Sequence, residues 1–392
     1  MAIDVLLQGE AVPIDEAVFR CLLDNSVAGT YRGYEKALDA GCISFSDLVD
    51  LAGHGDIPYP LFFAPLLHVE AQVATKSRKL LEGISRETFQ VGTREKLELH
   101  EVELIVKDLI RKQELLKRHD DSLVKNTIVG LLRTPGKSPE EDAAKLMSAI
   151  GLSPEALREC RSKQKAQDLL AGRLEASQVL VSRSVQHHMP QRLTHVNFSG
   201  MTIRDNKVPF IFLAGGDHGD QQEPVGRATF TLALMAVLVA RRIFKPVAWN
   251  GQSTGTNLGR EYDIAGAILM PGVRMREIAP SSLDDIKSAA EEFKVTPSAV
   301  TVRAMRLGQI AHETARNHLE QLRAEFGRIE KRKGSKKILP ENAVRKYAGT
   351  ELPRRMLRVM DSGGISPKEF CRTVCLNYIG VHQIDDLRRV VR

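Results

Sequence analysis

The sequence predicts an α+β fold that is predominantly α-helical, with one small β-sheet in its second half. Three observations predict it. Apolar residues recur three or four apart through most of the chain. Between residues 178 and 216 that spacing gives way to short β-branched and aromatic runs bounded by turn residues. The composition, 43% hydrophobic, 27% charged and only 5% aromatic, is that of globular units with aliphatic cores. At 392 residues the chain exceeds one ordinary core and is expected to divide into two or three domains.

Residues 14–52 read as short helices. "IDEAVFRCLLD", "YRGYEKALDAG" and "SFSDLVDLAGHG" each carry helical apolar spacing, with Gly41 and Gly53 as stops and Ser44 or Ser46 as a start. The Pro- and aromatic-rich "IPYPLFFAP" closes that unit. Residues 94–118 give the clearest amphipathic helix, through Leu97, Val102, Ile105, Leu109 and Leu116. "SLVKNTIVGLL", "SPEEDAAKLMSAI" and "SPEALRECRSKQKAQDLLAGRLEA" continue the helical pattern. Ser138 and Ser153 are N-caps there, each followed by Pro at the first helical position. "QVLVSRSV" (178–185), "THVNFSGMTI" (194–203) and "VPFIFLAGG" (208–216) then read as strands. Helices resume with "FTLALMAVLVARR" (230–242), "GREYDIAGAILMPGV", "SLDDIKSAAEEFKVTPSAVTVRAMRLGQI" and a charged stretch from about 312 to 331. "RIEKRKGSKK" (328–337), with six basic residues and one acid, is a solvated linker or, alternatively, a phosphate-binding arm. Three more short helical patterns fill 340–392.

The net charge of +7 suits an acidic partner such as nucleic acid. Five cysteines without tight pairing argue against a disulfide framework, and Cys371 and Cys375 read as buried thiols. No basic region leads into a long apolar block at the N-terminus, so no secretory signal is expected. The apolar run at 230–240 is about half the length of a bilayer span and ends in Arg241 and Arg242. The expectation is a cytoplasmic protein without a membrane partner. There is no P-loop, dinucleotide fingerprint or nucleophile elbow. "AGGDHGDQQEP" offers Asp217, His218, Asp220 and Glu223 as oxygen and nitrogen donors, and its plain reading is a polar loop. His187, His188 and His195 have no carboxylate at ligand spacing. "HEVEL" (100–104) begins like a zinc motif but has Leu104 where the second His belongs.

The order of elements carries a resemblance. The strand "VPFIFLAGG" is followed by a loop, "FTLA" (230–233) opening a helix, and then "ILMP" (268–271) closing another. That order resembles the ImmA/IrrE-type metallopeptidase family, in which a strand precedes "RFTLAHELGH" and the following helix ends in "LLMP". "FKVTPSAVTVRAMRLGQI" (293–310) resembles the family's next segment. "LDAGCISFSDLVDLAGHGDIPYPLFFAP" (38–65) resembles the second half of a Cro/repressor-type helix-turn-helix, which precedes the peptidase in long members. The resemblance covers most of residues 15–310. It implies a helix-turn-helix-like module at 1–70 and a helical connector at 71–175. A zincin-like domain with a small β-sheet follows at 176–311, then a charged helix and basic linker at 312–338 and a small helical module at 339–392.

The departures from the family decide the functional expectation. After "FTLA" the family has His-Glu-x-x-His: two zinc-binding imidazoles four apart on one helical face, and a Glu that activates water. Leu234, Met235 and Leu238 stand at those places, and Arg260 stands where the third ligand, an acid, belongs. Aliphatic side chains donate no electron pair to zinc, and Arg adds positive charge. The resemblance therefore implies a pseudo-peptidase with no catalytic residue, no metal ligand and no cofactor. By position, the DNA-reading helix would lie near "SVAGTYRGYEKAL", with Thr30, Tyr31, Arg32 and Lys36 as the contacts. The expected function is a non-catalytic DNA-binding regulator or antitoxin-like protein of a prophage, mobile element or toxin–antitoxin locus. It would bind DNA, a protein partner from a neighbouring gene, and, by analogy, a second copy of itself. Two alternatives stay open: a zinc-dependent hydrolase with relocated ligands drawn from Asp217, His218, Asp220 or Glu261, and a pure protein-interaction module without DNA contact.

Overall fold

The computed structural model describes residues 2–55, 57–80, 102–185, 188–190, 193, 198–214, 223–244, 246–248, 259–328 and 338–392. The chain is α+β and mostly helical, and it divides into two compact units. The first comprises Met1–Gln90, Glu98–Arg111 and Val185–Leu193; the second comprises Val91–Leu97, Lys112–Ser184 and Thr194–Arg392.

The first unit opens with a hairpin that helical spacing does not reveal. Strands β1 (Ala2–Leu7) and β2 (Glu10–Asp15) pair antiparallel, with Val5 opposite Val12 and Leu7 opposite Glu10. Gln8 and Gly9 join them at φ 51° and 89°. Positive φ at both central residues is the two-residue hairpin turn whose twist matches that of the strands. Helix α1 (Glu16–Asp24) starts at Asp15, whose carboxylate accepts the Ala17 N–H at 2.9 Å. Helix α2 (Arg32–Ala40) ends on Gly41 at φ 65°, the expected stop. Strand β3 (Cys42–Ser44) then returns parallel to β1, giving the sheet order β2-β1-β3. Helix α3 (Phe45–His54) begins on Ser44, whose hydroxyl accepts the Asp47 N–H; it runs through Gly53 and ends at Gly55. A short 3₁₀ turn at Tyr59–Phe63 leads to α4 (Leu66–Leu80). Phe19 packs against Tyr34 and Phe62 at ring separations of 5.7 and 5.8 Å, with Leu23 and Leu48 fully buried beside them.

Helix α5 (Glu103–His119) is the described part of the amphipathic stretch at 94–118. The segment after it overturns a helical expectation. "SLVKNTIVGLL" is non-helical, because Asn126 organises it as a loop. Its side chain accepts the Ile128 and Val129 N–H groups and donates to the carbonyls of Ser177 and Lys207. Leu123, Ile128 and Leu132 are buried all the same, so the apolar spacing signalled burial rather than helix.

In the second unit, α6 (Pro139–Ala149), α7 (Pro154–Arg158) and α8 (Lys163–Ala176) follow, the first two capped by Ser138 and Ser153 as their sequences indicate. Strands β4 (Leu180–Arg183), β5 (Phe198–Ile203) and β6 (Phe210–Leu213) lie within the three stretches read as strands. Helix α9 (Val225–Arg241) precedes β7 (Pro246–Ala248), which closes a four-stranded sheet of order β4-β6-β5-β7. β4 runs parallel to β6, and β5 runs antiparallel to both β6 and β7. Then come α10 (Arg260–Leu269), α11 (Gly272–Ile278), α12 (Leu283–Glu292), α13 (Pro297–Arg306) and α14 (His312–Arg328). The tail has four helices rather than three: α15 (Pro340–Ala348), α16 (Glu351–Asp361), α17 (Pro367–Thr373) and α18 (Ile384–Val390).

One hydrophobic core unites α6, α8, α9, α10, α12 and α13, so the stretch read as a separate connector contributes to it from residue 128 onward. The tail is tied to β4 and to the end of α8 by polar contacts. Ser182 Oγ donates to the Tyr347 carbonyl at 2.6 Å, and the Glu175 carboxylate accepts the Thr350 N–H at 3.0 and 3.2 Å. Among the described residues no helix is long and apolar enough to cross a membrane.

Candidate functional site

Helix α9 is the centre of the second unit. From Thr231 to Ala240 every residue is buried, although the sequence has no single apolar face there. A helix that is apolar all round has to be covered all round. Here α8 and α10 flank it, and strands β5 and β6 lie against it. The asparagine-built loop covers its C-terminal end: the N–H groups of Gly130 and Leu132 donate to the carbonyls of Val239 and Ala240 at 3.4 and 2.8 Å. Those carbonyls are among the helix-end groups that have no partner within the helix itself. At the other end Gly226 lies under Val295 and Thr296; a Cβ there would stand 2.5 Å from the Val295 carbonyl carbon. Only glycine allows that approach.

Leu234, Met235 and Leu238 lie inside this packing, at 2%, 0% and 2% exposure. They offer zinc no donor atom except the soft Met thioether. The fourth position is equally committed to another task. Arg260, the first residue of α10, donates from Nε and Nη2 to Asp142 on α6 at 3.0 and 2.8 Å, and from Nη2 to the Gly136 carbonyl at 2.6 Å. Asp142 is buried and also accepts the Gly136 N–H at 2.8 Å. An arginine fork on a buried carboxylate fixes α10 against α6 and brings a cation where zinc would need an anion. Arginine pairs repeat around this core: Arg303 with Glu140 at 2.9 Å and Arg306 with Asp263 at 2.5 Å. The residues at the three positions where the resemblance would place ligands, and at the one where it would place the base, do not fit zinc.

The alternative ligands fare differently from one another. Asp217, His218 and Asp220 lie outside the described residues, as do His187 and His195. Glu261 sits 3.3 Å from Arg241 Nη1 and is engaged there. Glu223 stands just ahead of Pro224, the N-cap of α9. Burial raises its carboxyl to about 7, offset in part by Arg227, and its Oε1 accepts no hydrogen bond among the described residues. Among the described residues, no three His, Cys, Asp or Glu side chains gather as a metal site requires. Cys371 and Cys375 are buried free thiols whose burial raises them above the ordinary thiol range.

In the first unit, Arg32 and Lys36 are exposed on α2, and Tyr31 immediately precedes it, its ring 4.9 Å from that of His54. Glu35 and Asp39 share the exposed surface of the helix, so it carries no net positive charge. The imbalance extends to the whole module. Residues 1–70 hold eleven Asp and Glu against three Lys and Arg (Arg20, Arg32 and Lys36), a net charge of −8. The whole-chain figure of +7 conceals this, and a count by segment would have exposed it. Phosphate contact relies on clustered cations, which this surface lacks.

No family model, curated protein or solved structure matches this chain.

Proposed function

We propose that this protein is a non-catalytic regulator that acts by binding another protein. Its second unit would be a peptidase-like scaffold without peptidase chemistry. One observation carries the reading: the positions at which the resemblance places zinc ligands hold buried Leu234 and Leu238, with Met235 between them and Arg260 locked onto Asp142. Hydrolysis at such a site needs a polarising ion and a base, and these side chains supply neither. The acidic first module supports a protein partner over DNA, because unlike charges attract and like charges repel across an interface. A partner encoded beside this gene, as in antitoxin-like regulation, fits that mode of action.

The test is incubation of the full-length protein with unfolded casein and added zinc, followed by mass spectrometry. The expected result is intact casein. Chelator-sensitive cleavage that tracks the purified protein would sink the proposal. A gel shift on the DNA upstream of the gene, run over a salt series, should show no preference over random duplex.

A further inference from the structure

We propose that the first unit docks a basic, amphipathic segment of its partner on an acid-rimmed apolar face; this rests on the protein-binding reading above and names the partner's chemistry. Among the described residues, thirteen large apolar side chains are exposed, and seven of them fall within the first 70 residues. That is over half of them in less than a fifth of the chain. Leu7 ends β1 and Val12 lies on the neighbouring β2, on the same side of the sheet; Leu6 is exposed on the opposite side. β2 packs beside the 59–63 turn, which exposes Tyr59 and Phe63, and α4 follows at once with Leu67, 75% exposed. Isolated exposed apolar residues need no explanation, but several on adjoining elements mark an interaction surface.

The charge identifies the occupant. Exposed Glu10 is paired opposite Leu7 on the side of the sheet that carries Val12, and exposed Glu70 follows Leu67, within a module of net charge −8. A ligand for this face has to bury apolar groups and present cations at its margin. A Lys- and Arg-rich amphipathic segment does both. DNA and anionic lipid carry the same sign of charge as the face and are repelled.

The experiment uses the full-length protein and a fluorescein-labelled amphipathic Leu/Lys peptide of about five helical turns, read by fluorescence polarisation. A scrambled peptide of the same composition and a labelled DNA duplex run beside it. The expected result is saturable binding of the amphipathic peptide that weakens with salt. Leu67→Asp and the pair Glu10→Lys, Glu70→Lys should each weaken it about tenfold or more, while Val273→Asp in the other unit leaves it unchanged. Equal binding of the scrambled peptide, or binding unmoved by the first-unit substitutions, overturns this face as the site. Concentration-dependent self-association lost in Leu67→Asp overturns the choice of occupant. Tighter binding of the duplex overturns the protein-binding reading itself, and cleavage of the peptide overturns its non-catalytic part.

Discussion

Building a zinc-binding motif into α9 should unfold the second unit rather than create an enzyme. The perturbation is Leu234→His, Met235→Glu and Leu238→His together. Each wild-type side chain is at most 2% exposed, so removing three of them forfeits about 1.5–3 kcal/mol apiece. Two imidazoles and a carboxylate would then be buried without designed partners, at about 1–3 kcal/mol each. The sum, about 8–18 kcal/mol, matches or exceeds the whole stability of an ordinary domain, about 5–15 kcal/mol. Single Leu234→His should cost about 3–6 kcal/mol on the same reasoning. The control at Leu232, fully buried on the same helix, should cost as much, while Val273→His at an exposed position should change little. The assay is urea denaturation of the full-length protein followed by far-ultraviolet circular dichroism, since α6 to α18 all belong to the second unit. Refutation is specific. If Leu234→His is as mild as Val273→His while Leu232→His is severe, or if zinc restores the triple variant, the helix retains a metal-sized pocket and is not solid core.

Three further outcomes follow from other contacts. Burial raises Glu175 and Glu223 from 4.5 to about 7, with backbone N–H groups of Thr350, Glu351 and Val181 opposing the shift at Glu175. The folded protein then holds protons that the unfolded chain has released. Stability of the second unit should therefore rise as pH falls from about 8 to about 5, and Glu175→Gln should flatten part of that rise in urea midpoints; a steady fall over this window would contradict the assignment. Arg260→Ala strands a buried carboxylate on Asp142. Its cost should be about 2–3 kcal/mol by urea titration, below the full buried-pair range because the Arg260 side chain is 31% exposed; Asp142→Asn in the same background should recover part of it. Gly226→Ala forces a methyl onto the Val295–Thr296 backbone and should lower stability by about 1–3 kcal/mol; a neutral result would mean that α9 and the 295–296 segment do not meet.

What the sequence disclosed depended on whether a signal was local. Ser138, Ser153 and Gly41 were legible because a cap needs only its own few residues. The three strands of the second half were legible from β-branched runs, whereas β7 spans only Pro246–Ala248, too short for any periodicity. The N-terminal hairpin was missed although Ile3, Val5 and Ile14 alternate inward. Gln8-Gly9 lacks the Asn or Asp that usually advertises such a turn, and Gly9 alone marked it. The Asn126 loop was misread as helix because its partners at Ser177 and Lys207 are distant in sequence. At the candidate site, Leu234, Met235 and Leu238 were named from motif order alone. The role of Arg260 was not legible, since Asp142 lies over a hundred residues away. The acidic first module was legible in principle, and summing charge over the whole chain hid it.

The central claim is that the α9 region is packed core and supports no metal chemistry. Elemental analysis of the full-length protein, purified without chelator and then dialysed against limiting zinc, tests it most directly. The account predicts less than stoichiometric zinc, unchanged by Glu261→Ala and by His218→Ala. One zinc per chain, lost with either of those substitutions, would contradict the account and restore the hydrolase with relocated ligands.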